Sequence, residues 1–136
     1  MGEQVVYVPA YSHIYHQDGS RDFNLTATLS IRNTDPEYPI TITEVRYYDS
    51  GGGLVRTYLA QPLELGPLAS IPYVVEERDK AGGVGANFIV KWQTATRVSS
   101  PIIEAVMIST ASAQGISFTT RGQVVRPLSE DGGANN

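Results

Sequence analysis

Apolar side chains recur at every second position along much of this chain, the period of a half-buried β-strand. The clearest run is Phe23 to Asn33. Phe23, Leu25, Ala27, Leu29 and Ile31 fall on one face, and Asn24, Thr26, Thr28, Ser30 and Arg32 on the other. Asn33-Thr34-Asp35-Pro36, followed by Pro39, ends it with turn formers and missing amide donors. From Ile40 to Asp49 the phase slips, because Ile40 and Ile42 share one parity while Val45 and Tyr47 share the other. One extra residue restores the facing, so a β-bulge is expected near Thr43-Glu44.

The remaining strands follow the same logic. Asp49-Ser50-Gly51-Gly52-Gly53 reverses the chain, and Leu54 to Gln61 returns as a hairpin partner. After the turn at Gly66-Pro67, Ser70 to Glu76 places Ile71, Tyr73 and Val75 inward. A charged, glycine-rich loop from Glu77 to Gly85 precedes Asn87 to Thr94, where Phe88, Val90 and Trp92 share a face. Trp92 belongs to the core on that pattern.

Ile102 to Ser109 supports two readings. Ser99-Ser100-Pro101 with Glu104 resembles a helix start, whereas Ile102, Ile103, Val106, Met107 and Ile108 suit a strand buried on both faces. The β-branched run favours strand. Ile116 to Val125 is the last strand, broken near Gly122. Val5 to Val8 and Tyr11 to His16, with Pro9 marking an edge or a sheet switch, bring the expected strands to nine. Short strands without helical crossovers predict an all-β fold, an immunoglobulin-like two-sheet antiparallel β-sandwich, with a β-barrel as the alternative. There is no internal repeat. Residues 4–126 are expected to form a single domain and residues 127–136 a flexible C-terminal tail.

Composition narrows the function classes. A chain of 136 residues can bury a self-sufficient core. Its ten Lys and Arg are scattered singly in a chain of net charge −4, so nucleic acid and anionic membrane surfaces are disfavoured as partners. No apolar run reaches the ~18 residues of a transmembrane segment. Met1-Gly2-Glu3-Gln4 has neither a basic n-region nor an apolar h-region. No signal peptide is expected there, and a start so close to the first strand fits a leader already removed. The absence of cysteine excludes disulfides, thiolate metal sites and cysteine nucleophiles.

Several segments in fixed order resemble a bacterial family, the domain of unknown function 3124. They include Tyr11-Ser12-His13-Ile14-Tyr15, the stretch Leu25 to Asp35, and Val45-Arg46-Tyr47-Tyr48-Asp49. Leu65-Gly66-Pro67-Leu68-Ala69, Gly82 to Val90 and Glu104-Ala105-Val106-Met107-Ile108 extend the resemblance from about Val5 to Arg126. Members often look exported or lipid-anchored, so the resemblance implies an extracytoplasmic place: periplasm, cell surface or secreted. It brings no activity and no functional residues.

Candidate chemistry is sparse. No Gly-x-Ser-x-Gly elbow occurs, and the two histidines stand close together, so no enzyme is expected. Gly82-Gly83-Val84-Gly85 precedes a strand rather than a helix, which argues against a phosphate loop. The acidic residues Asp18, Asp22, Asp49, Glu76, Glu77 and Asp79 fall in predicted loops without calcium-loop spacing. His13 and His16, with Asp18 as a third ligand, could hold a metal only if a bulge or turn brings them to one side. In a strand, Tyr7, Tyr11, His13 and Tyr15 instead line one amphipathic surface suited to a ligand or partner. The expected function is therefore a non-catalytic envelope module that binds a protein or glycan and needs no cofactor. The alternatives are self-assembly as a homo-oligomer through the N-terminal arm Val5 to Tyr15 at a sheet edge, and a metal or small-ligand carrier using His13 and nearby tyrosines.

Overall fold

The computed structural model describes residues 2–15, 22–75, 83–109 and 115–127. Twelve strands follow in order: β1 (Gly2–Pro9), β2 (His13–Tyr15), β3 (Asp22–Asn24), β4 (Thr26–Arg32), β5 (Ile40–Tyr48) and β6 (Leu54–Thr57), then β7 (Leu63–Leu65), β8 (Ser70–Val75), β9 (Asn87–Thr94), β10 (Ile102–Ser109), β11 (Ile116–Arg121) and β12 (Gln123–Arg126). No helix occurs among the described residues.

Two antiparallel sheets pack face to face and do not close into a barrel. The larger runs β12-β1-β9-β5, with β6 and β7 both pairing β5 along its far edge. The smaller runs β11-β10-β4-β8, and β2 with β3 forms a separate ribbon. The pairings β4–β8 and β5–β9 match the B–E and C–F pairs of an immunoglobulin-like sandwich. The flanking strands are exchanged. Here β10 lies beside β4, where that sandwich has its first strand, and β1 lies beside β9, where it has its last.

The alternation read from sequence is realised in detail. Ala27, Leu29 and Ile31 of β4 meet Phe88, Val90 and Trp92 of β9 in one core, joined by Ile40, Ile42, Val45 and Tyr47 of β5. The β5 phase slip is a bulge: Ile42 opposes Trp92 and Glu44 opposes Lys91, leaving Thr43 as the extra residue. Ile102–Ser109 is a strand, but it buries one face rather than two; Ile103, Ala105, Met107 and Ser109 point in, while Ile108 stays 45% exposed. Trp92 is buried and its indole N–H donates to Gln4 Oε1 at 2.9 Å. Emptying that position would cost about 3–5 kcal/mol.

One expectation is corrected. The first half of the arm Val5 to Tyr15 is not a sheet edge, because β1 pairs β9 along its whole length and β12 pairs Val5–Tyr7 on its other side; its second half, β2, pairs β3 alone. Between Val5 and Tyr7, where both sides are paired, the backbone has no free edge to offer a neighbour's sheet. Pro9 instead ends β1 where the chain leaves the larger sheet for the β2–β3 ribbon.

The chain passes from the larger sheet to the smaller, or back, along both flanks of the sandwich. On one flank Gly122 alone separates β11 in the smaller sheet from β12 in the larger. Its N–H donates to Ile103 O at 2.7 Å, and a Cβ there would lie 2.7 Å from both Ile103 O and Val6 Cγ1. Thr120 Oγ1 donates to Pro9 O alongside, so the sheets converge here. On the other flank Gly66-Pro67-Leu68-Ala69 carries the chain from β7 to β8. Buried Asn33 holds that turn: its Nδ2 donates to Leu65 O at 3.1 Å and Gly66 O at 3.0 Å, and its backbone N–H donates to Ala69 O. Tyr58 fills the wider gap, its ring 5.9 Å from Tyr73 and 6.2 Å from Phe88.

Candidate functional site

The four residues expected on one surface are distributed by the break at Ala10-Tyr11-Ser12. Tyr7 lies between buried Val6 and Val8 and so faces the outside of the larger sheet. Tyr11, in the link between β1 and β2, packs edge-on against Phe118 of β11 at 5.5 Å and leans on the core. His13 opens β2 opposite Asn24, and Tyr15 pairs Asp22. Tyr7 is thus separated from Tyr11, while His13 and Tyr15 belong to the ribbon. His16 and Asp18 lie outside the described residues, and among the described residues no group of three potential metal ligands forms.

Beside His13, Ser12 is a structural clasp. Its fully buried Oγ accepts from Gly83 N at 2.9 Å and donates to Gly83 O at 3.1 Å, and its own N–H also donates to Gly83 O. Gly83 has φ +80, and a Cβ there would meet Ser50 Oγ at 2.6 Å, so the position needs glycine. Gly85 N donates to Ser50 Oγ at 2.7 Å before β9 begins. The glycine loop is therefore held against the sandwich by two serines. Ser12 Oγ also lies 3.4 Å from His13 Nδ1, while its shorter bonds go to the Gly83 backbone.

The arrangement with binding character is the outer face of β1-β9-β5. Tyr7 on β1 opposes Ile89 on β9, which opposes Arg46 on β5. One row on, Pro9 opposes Asn87, which opposes Tyr48. Antiparallel partners share a face, so Tyr7, Ile89 and Tyr48 form a diagonal across three strands, each ring or side chain half-buried. Two interstrand steps and two residue steps put Tyr7 and Tyr48 roughly 12 Å apart. Gln123 of β12 extends the face beyond Tyr7.

Charged side chains on this face gather around Glu44. Glu44 lies 3.5 Å from Arg46 Nε and 3.6 Å from Lys91 Nζ. A hydrogen bond to Tyr48 and then the Glu44 carboxylate raise the Arg46 guanidinium above its already high pKa. Exposed pairs of this kind stabilise little; one carboxylate shared by two cations leaves this cluster with a net positive charge beside Tyr48.

Tyr48, Ile89, Arg46 and Asn87 are functional candidates that the spacing of histidines and tyrosines along the chain does not reveal. Their signal was present as the parity opposite to the buried series Val45–Tyr47 and Phe88–Val90–Trp92. An isoleucine on an outward parity between lysine and asparagine stands out there.

A family model described as "Protein of unknown function (DUF3124)" matches residues 3–125. No curated protein and no solved structure matches the chain.

Proposed function

Because the chain belongs to the family of unknown function 3124, which assigns no chemistry to any residue, we propose a function from the geometry: a non-catalytic sandwich module of the bacterial envelope that binds a protein or glycan through the outer face of β1-β9-β5. The carrying observation is that Tyr7, Ile89 and Tyr48, each half-buried, share the outer face of three paired strands beside the Glu44–Arg46–Lys91 cluster. Strands hold their side chains more precisely than loops do, which suits recognition. The extracytoplasmic setting is supported by the resemblance to exported and lipid-anchored proteins. The backbone hydrogen bonds that Ser12 Oγ makes to Gly83 support binding rather than catalysis.

The test is a titration of isotope-labelled protein with separated protein and polysaccharide fractions of a bacterial envelope, read by amide chemical shifts. Shifts are expected around Tyr7, Arg46, Tyr48 and Ile89. Shifts confined to the β2–β3 ribbon, or none with either fraction, overturn the reading.

A further inference from the structure

Resting on that reading, we infer that the partner on this face is an acidic protein, one that presents carboxylates beside an apolar side. The register of the larger sheet sorts its outward residues into rows, because directly opposed antiparallel partners share a face. Arg126 of β12, Val5 of β1, Lys91 of β9 and Glu44 of β5 form one row. Gln123, Tyr7, Ile89 and Arg46 form the next. Pro9, Asn87, Tyr48 and Leu54 of β6 form the third.

Charge and apolar surface separate along these rows. The first two hold three cations, Arg126, Lys91 and Arg46, against one carboxylate, Glu44, a net of +2. In a chain of net charge −4 this band is a local reversal of sign. The third row carries no charged side chain. On the other side of the cations, Glu3 and Glu64 occupy the row Glu3, Gln93, Thr41 and Glu64. A partner therefore has one favourable orientation. Its carboxylates lie over the cations and its apolar side over Tyr48 and Leu54, whereas the reverse placement sets carboxylate against Glu3 and Glu64.

The same rows favour a protein over other partners. Anionic lipid and nucleic acid are held by longer, uninterrupted basic clusters. Here Glu44 stands 3.5 Å from Arg46 and 3.6 Å from Lys91. Tyrosine and arginine are enriched at protein interfaces, and Tyr7, Tyr48 and Arg46 share this face. Apolar side chains stand exposed at both ends of it, Leu54 on β6 at 53% and Val125 on β12 at 52%. An uncharged glycan brings no counter-charge to Arg126, Lys91 and Arg46.

The experiment titrates the isotope-labelled chain with the proteins of a bacterial envelope extract, divided on an anion exchanger into a retained acidic pool and an unretained pool. Phosphatidylglycerol vesicles and envelope polysaccharide are titrated separately. The acidic pool is expected to shift the amides of Arg46, Tyr48, Leu54, Ile89 and Lys91, and the shifts should shrink as salt rises. Lys91→Glu combined with Arg126→Glu should raise the amount of acidic pool needed for half-maximal shift about tenfold and create a response to the unretained pool. Leu54→Ser keeps every charge and should raise that amount about fivefold. Both variants should keep the parent's thermal unfolding midpoint, since exposed ion pairs and exposed side chains add little to the fold. An unchanged response in the charge-reversed variant, or vesicles that shift the same residues, overturns the inference. Shifts at this face from the unretained pool or the polysaccharide alone also overturn it, and leave the binding face standing. Should no fraction move the face, the proposed function itself fails.

Discussion

The two flanks where the chain changes sheets solve one problem by opposite means. At Gly122 the sheets come so close that the crossing is a single residue without a side chain. Between β7 and β8 four residues span a wider gap, and the gap is filled by Tyr58 and stitched by Asn33 and Asp35. Asp35 Oδ1 accepts from Glu37 N and Tyr38 N, and Oδ2 accepts from Ser99 N, which ties the β9–β10 crossing to the same hub. Asn33 Oδ1 accepts from Asp35 N, so the two side chains act together. The narrow flank tolerates nothing added, and the wide flank tolerates nothing polar removed. A sandwich is therefore closed either by steric slimness or by hydrogen-bonded span, and this molecule uses one on each side.

That contrast breaks most easily at Gly122. Gly122→Ala is expected to destabilise by about 3 kcal/mol in a denaturant melt, since its Cβ meets backbone and core valine. A change below about 0.5 kcal/mol would show that the narrow flank yields freely. Asn33→Ala should cost about 2–3 kcal/mol, by stranding the Leu65 and Gly66 carbonyls. Asp35 sharpens the wide flank by pH. The backbone donors of Glu37, Tyr38 and Ser99, in that order, hold its carboxyl below the ordinary aspartate range. A lowered folded-state pKa means that the unfolded chain binds the proton more readily. The stabilisation is thus complete above the ordinary carboxylate range and is lost as pH falls through the lower folded value. Melts of the parent and Asp35→Asn should differ at neutral pH and converge in acid; a constant gap would remove the carboxylate from this role. The smallest effect belongs to Gly66→Ala, where a Cβ meets nothing within 4 Å. It should change stability by no more than about 0.5 kcal/mol, in contrast to the same substitution at Gly122.

Much of this architecture was legible because parity reports facing. The Thr43 bulge and the break at Gly122 both showed as interruptions of an alternating pattern, and Trp92 declared its side through Phe88 and Val90. Parity says nothing of which strand lies alongside, so the placement of β1 between β9 and β12 could not be read from Val5 to Val8. Leu63-Glu64-Leu65, between Pro62 and Gly66, is too short to display a period, and β7 went unpredicted there. The expected strand from Leu54 to Gln61 ends at Thr57, where Tyr58 turns to the opposite sheet. At the candidate site, the parity of Tyr7 did not carry past Pro9 because Ala10-Tyr11-Ser12 is a link rather than a strand. Tyr48 and Ile89 were recoverable, but only once their strands were known to be neighbours.

The interior position of β1 has a consequence for how the molecule is made. This strand leaves the ribosome before either of its partners exists, since β9 starts at Asn87 and β12 at Gln123. Until those late segments are synthesised its valines have no layer to join, so the larger sheet cannot assemble progressively from the N-terminal side. Distant pairing of this kind favours slow folding, in milliseconds to seconds, with a long-lived nascent chain that remains open to chaperones.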